Sequence, residues 1–128
     1  MSANEIANIN HAGGVFQLAG AAPNSFQYPG GWGFTGEVIR VSAGFYILPL
    51  EEPLMPAELG PPVSGRFGGI PLGNVVVSPN GFTTQCALMG PGSGHEGHVG
   101  VVVVDAADAA SDTAITFSCT VLRTPQQG

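Results

Sequence analysis

There is no lysine in this sequence, and arginine occurs only at Arg40, Arg66 and Arg123. Charged residues make up 9% of the chain, against roughly a quarter in an ordinary soluble domain. With a net charge of −6 and three scattered cations, the chain cannot neutralise a phosphate track, so nucleic acid is excluded as a partner, and anionic membrane surfaces are disfavoured for the same reason. A free monomer normally carries a mixed charged surface and guards its sheet edges with lysine. A chain that can do neither points to a surface covered by neighbouring subunits; the competing explanation is a neutral monomer surfaced with Ser, Thr, Asn and Gly.

No run reaches the 18 apolar residues of a membrane-spanning helix. The start, Met1-Ser2-Ala3-Asn4-Glu5, has neither a basic nor an apolar signal region, which leads us to expect synthesis in a cytoplasm. Cysteine occurs only at Cys86 and Cys119. Both fall on the apolar side of alternating runs and read as free, buried thiols acting as small hydrophobes. A disulfide between them requires adjacent strands, which spacing alone does not establish. There is no Walker lysine and no Gly-x-Ser-x-Gly elbow, so P-loop and hydrolase chemistry have no foothold.

What the chain does have is punctuation and β-type residues. Its 20 glycines and 11 prolines suit short strands joined by turns, and 44% hydrophobic content excludes disorder. One domain is expected over 12–128, preceded by a polar arm at 1–11. Strands are expected at Val15–Ala19, Glu37–Ser42, Phe45–Leu50, Val75–Ser78, Phe82–Leu88, Val99–Val104 and Ala114–Arg123. Ser42-Ala43-Gly44 should turn one hairpin and Pro79-Asn80-Gly81 another, since Asn-Gly between β-type runs is a strong hairpin signal. The valine run at 99–104 reads as a strand buried on both faces. In the last strand Ile115, Phe117, Cys119 and Val121 share one face, and Thr116, Ser118 and Thr120 the other. Residues 51–72 hold five prolines and read as an extended excursion outside the sheets. Residues 105–112 read as a loop or a single helical turn. The predicted fold is an all-β antiparallel sandwich, or a jelly-roll-like variant, of seven to eight short strands with a long Pro-rich loop.

Two stretches carry a resemblance. Arg40-Val-Ser-Ala-Gly-Phe-Tyr-Ile-Leu-Pro-Leu resembles the Gly-aromatic strand motif of small bacteriophage virion proteins. Asp105-Ala-Ala-Asp-Ala-Ala-Ser-Asp-Thr-Ala-Ile-Thr-Phe-Ser-Cys-Thr-Val-Leu-Arg resembles their C-terminal strand. The resemblance implies β-sandwich capsid decoration (cement) or tail-associated subunits, often trimeric, located in the virion and bound to capsid or other virion proteins. The expected function is therefore non-enzymatic and structural. The alternatives are a tail-fibre or receptor-binding head that recognises host glycan, and, further off, a small bacterial sandwich lectin or enzyme.

Candidate recognition residues lie in the aromatic loop at 20–34 and in the Pro-rich excursion: Phe26, Tyr28, Trp32, Phe34, Leu59 and Phe67. Rings of this kind serve as interface anchors or sugar platforms, or fold back to plug the end of the sandwich. His95, Glu96 and His98 offer nitrogen and oxygen donors, but on a Gly-rich loop with no helix to hold them. A solvent-exposed loop is therefore the expectation, with no metal and no cofactor. Gly92-x-Gly94-x-x-Gly97 matches a dinucleotide fingerprint only formally, because a strand follows it where a helix is required. Glu51 and Glu52 would point to opposite faces of a strand, unsuited to a shared acid/base pair.

Overall fold

The computed structural model describes residues 10–18, 24–26, 32–56, 68–77, 81–90 and 92–123. Nine strands are present among them: β1 (Asn10–Leu18), β2 (Asn24–Phe26), β3 (Ile39–Ser42), β4 (Phe45–Leu48), β5 (Met55–Pro56), β6 (Gly68–Val77), β7 (Thr83–Leu88), β8 (Val99–Val104) and β9 (Ile115–Arg123). Seven of these have four residues or more; β2 and β5 are short additions at the edges. The first sheet runs β2-β1-β9-β6-β5 and the second β3-β4-β8-β7. All pairings are antiparallel except β5 with β6. The predicted all-β sandwich is the observed architecture.

The core forms where the period-2 patterns of the two sheets meet. From the first sheet come Phe16 and Leu18 of β1 and Ile115, Phe117, Cys119 and Val121 of β9; from the second come Tyr46, Leu48, Val99, Val101 and Val103, all buried. The alternation expected for β9 is observed residue for residue, with its threonines and serine turned outward. β8 is covered on both sides. Met89 Sδ sits over Gly100, in the space a side chain would take, with Phe45 beside it.

The β3–β4 hairpin turns at Gly44, as expected. Its φ is +71°, and a Cβ there would collide with the backbone of Ser111 and Val103, so glycine is required by both conformation and space. Asp112 fastens the segment that crosses this turn. Its carboxylate accepts hydrogen bonds from Arg40, the Gly44 N–H and the Tyr46 hydroxyl. The Arg40 hydrogen bond is the largest cause holding the Asp112 carboxyl well below the usual range. Residues 105–109 form a turn closed by Asp105, whose side chain accepts from the Ala107 and Ala109 N–H groups.

Three expectations need correction. The Asn80-Gly81 signal does not make a hairpin: β6 pairs with β9 and β5 in the first sheet, whereas β7 pairs with β8 in the second. β6 and β7 therefore belong to different sheets; residues 78–80 lie outside the described residues. The Pro-rich stretch at 51–72 is not free of sheet, since it contains β5 and the start of β6, with Pro56 and Pro71 inside strands. Both occupy edge positions, because β5 is outermost and covers β6 only at Gly68 and Gly69. An edge strand has an open side on which a missing N–H breaks no ladder. Finally, Asn10 and His11, assigned to the arm, begin β1, and Asn24–Phe26, assigned to the aromatic loop, form β2. The remainder of the arm, 1–9, lies outside the described residues.

Candidate functional site

Of the six candidate recognition residues, the structure separates Trp32 from Phe34. Phe34 is 3% exposed and belongs to the core. It forms an isolated bridge with Leu50 and packs edge-on against Phe16, with ring centroids 4.9 Å apart at 77°. Of the roles open to the candidate rings, Phe34 takes the packing one, not that of an exposed interface anchor. Trp32 is 46% exposed. Its backbone exchanges two 2.8 Å hydrogen bonds with Gly13, and its indole lies against the bare face of that glycine. Gly13 pairs with Thr120, so the ring rests on the outward side of the first sheet. Phe26 stands opposite Val15 in the β1–β2 register. Tyr28, Leu59 and Phe67 lie outside the described residues.

The His95, Glu96 and His98 donors do not converge. Glu96 Oε1 accepts from the Gly92 N–H at 3.0 Å. His98 Nδ1 accepts from the Leu50 N–H at 2.9 Å, which fixes the neutral tautomer protonated on Nε2. Desolvation, helped by nearby His95, holds the His98 pKa below its ordinary value. These atoms serve to tie the 89–98 loop to its surroundings. No three His, Cys, Asp or Glu side chains come together as a metal site among the described residues.

A cleft of about 290 Å³ opens where the start of β1 meets the end of β9, lined by Asn10, His11, Gly33, Glu51, Glu52 and Arg123. His11 Nε2 donates to the Glu52 carbonyl at 2.7 Å, and Arg123 donates to His11 Nδ1 at 3.4 Å. Arg123 also approaches the Glu52 carboxylate at 3.7 Å. Glu51 and Glu52 both face this cleft because 51–52 form a bend, not the strand assumed when they were set on opposite faces. The cleft therefore mixes one cation, two carboxylates, an imidazole and an amide. None of its lining residues carries a side-chain hydroxyl or thiol nucleophile. Sequence reading missed it because its residues come from four separate segments; the only local signal was the Glu51-Glu52 pair.

The largest feature is a face. Outward positions of the first sheet are Val15 and Gln17 on β1, Thr116, Ser118, Thr120 and Leu122 on β9, and Ile70, Leu72, Asn74 and Val76 on β6, with no charged side chain among them. Ile70, Leu72 and Val76 are 43%, 53% and 57% exposed. Single exposed aliphatics are ordinary, but a row of them on one strand beside an uncharged Thr/Ser ladder and an exposed tryptophan is the pattern of a contact surface. In comparison with known proteins, no family model, no curated protein and no solved structure matches the chain.

Proposed function

We propose that this chain is a non-enzymatic virion structural protein, a decoration or cement subunit that seats the outward face of its five-stranded sheet on a phage shell protein. The observation that carries the proposal is that face: apolar along β6, uncharged across β1 and β9, and left uncovered by the described residues. Its partner would be protein with a flat, uncharged surface, since a net charge of −6 repels polyanions. Burial of the Ile70, Leu72 and Val76 row would supply about 25 cal/mol per Å² of apolar area before association costs. The bacteriophage origin and a homotrimeric state are the parts that rest on the resemblance of the 40–50 and 105–123 stretches.

The test uses shells of the phage that carries this sequence, prepared without the protein. Purified chain should bind them to a saturable copy number, and Leu72→Glu should abolish binding while leaving the unfolding curve in place. A chain that ignores the shells, or a Leu72→Glu variant that binds like wild type, overturns the reading. Light scattering on the free chain tests the trimer separately.

A second reading, a receptor-binding head for host glycan, is favoured by one observation. The exposed Trp32 directly precedes Gly33, which lines the polar cleft. An aromatic platform next to hydroxyl-pairing groups is how proteins hold sugars. Glycan-array binding lost in Trp32→Ala would favour this reading over the first.

A further inference from the structure

Cys86 lies on β7 of the second sheet and Cys119 on β9 of the first. Both are free thiols; Cys119 is buried, as expected, but Cys86 is only partly so. Between them stands Gly73 of β6, the cross-strand partner of Cys119. A Cβ at Gly73 would run into the Phe117 ring and come within 3.0 Å of Cys86 Sγ. The missing side chain is what lets the Cys86 sulfur reach across from the opposite sheet, where it sits 3.8 Å from the Pro71 carbonyl. Gly73 is itself exposed, because beyond Gly69 the outer side of β6 is uncovered by β5. Cys86 is thus approachable from the sandwich edge, with the buried Cys119 behind it.

We propose that Cys86 and Cys119 are a dithiol modification site, closed by a low-molecular-weight disulfide into a cystine that joins the two sheets. In the first step the Cys86 thiolate attacks one sulfur of oxidised glutathione. The glutathione S–S bond breaks, a mixed disulfide forms on Cys86, and one glutathione leaves and takes up a proton. Cys119 then gives up its proton and attacks Cys86 Sγ. The Cys86–Cys119 bond forms and the second glutathione leaves as a thiol. The protein loses two electrons and two protons, and glutathione disulfide gains them.

The electrostatics support this order. Cys119 stands directly across from Gly73, and the Cys86 sulfur borders the space Gly73 leaves empty; hydrogen bonding from the Cys119 thiol is the main cause that brings the Cys86 pKa down to about 7. The same contact, together with burial, pushes Cys119 up, so it stays protonated until the mixed disulfide forms. A thiolate poised near neutral pH is the efficient attacker in such exchange. The proposal stands apart from the virion reading and holds whether or not the chain decorates a shell.

The experiment incubates the reduced, folded chain with oxidised glutathione, traps thiols by alkylation, and reads intact mass and cross-linked peptides. Wild type should lose two hydrogens and yield a peptide joining Cys86 to Cys119, with a thermal midpoint raised by about 10 °C. Cys119→Ala should stop at a glutathione adduct on Cys86, and Cys86→Ala should not react. Native-state alkylation of wild type gives a readout independent of any variant's folding, and it should label Cys86 before Cys119. A wild-type chain that stays reduced under conditions that oxidise the urea-unfolded chain, that halts at the adduct, or that labels Cys119 first overturns the proposal.

Discussion

The two outward faces of the sandwich are made of similar residues and end in opposite states. On the second sheet, Ile47 points away from the core, its neighbours Tyr46 and Leu48 pointing in, yet it is fully buried. Its cross-strand partners are Ile39 and Gly100, and Met89 folds over Gly100. The chain has built a second, shallow layer on that side, held by the 89–98 loop. On the first sheet, Ile70, Leu72 and Val76 have no such cover among the described residues and are about half exposed. The contrast shows that this chain covers the strip around Ile47 on one sheet face with its own loop, while Val41 at the edge of that sheet stays 45% exposed.

Four measurements would break or sharpen that contrast. The largest effect is expected at Ile47. If its burial is as complete as the structure shows, Ile47→Ala should destabilise by about 2–4 kcal/mol in urea unfolding. A loss no greater than that of a surface aliphatic would mean the cover over the second sheet is loose, and the contrast would disappear.

Acid should loosen the segment that crosses the β3–β4 turn. The folded Asp112 pKa is depressed, so its stabilising contribution is complete above its ordinary value of 3.8 and is lost as pH falls below that toward the folded value. The thermal midpoint of wild type should drop across that acid range. Asp112→Asn should be less stable at neutral pH and lack that drop; an unchanged pH profile would show that the Arg40, Gly44 and Tyr46 contacts do not hold in solution.

A smaller effect of the same sign is expected at the loop that carries Met89. The His98 pKa is lowered, so its contribution is present above about 6.5 and is lost as pH falls through the folded value. Protonation of Nδ1 would end its acceptance from the Leu50 N–H. His98→Phe should cost about 1 kcal/mol at pH 7 and remove the stability loss in the mildly acidic range; persistence of that loss would assign it to another group.

The smallest effect belongs to the open face. Leu72→Ala should change stability by no more than about 0.5 kcal/mol. A cost approaching that of Ile47→Ala would show that the first sheet is also covered in solution, by residues of this chain or by a second copy.

The strands themselves were legible because each is written locally. The alternation of 115–121, the valine run of 99–104 and the Gly44 turn all act within a few residues of themselves. The candidate sites were less so. Phe34 reads as a loop aromatic beside Trp32, and only its bridge to Leu50 and the Phe16 ring make it core while its neighbour stays out. His98 reads as part of an exposed Gly-rich loop, and only the arrival of Leu50, 48 residues distant, gives Nδ1 a backbone N–H to accept from. Arg123 carries no sign that it will meet His11, which lies 112 residues earlier in the chain.

By itself, then, the sequence determined the all-β class, most strand positions, the inward face of the last strand, and the poverty of charge. These follow from side-chain period, turn chemistry and composition, which need no distant contact. Only the tertiary structure decided which sheet each strand joins. It placed β6 and β7 in opposite sheets despite an Asn-Gly signal, because the long-range pairing of β6 with β9 and of β7 with β8 settles the choice. It likewise brought the Cys86 sulfur against Gly73, the cross-strand partner of Cys119, and it buried Ile47 on one outer face while leaving the aliphatic row of the other without cover among the described residues. Local patterns say that a face is apolar; what lies on top of it depends on where loops from elsewhere in the chain come to rest.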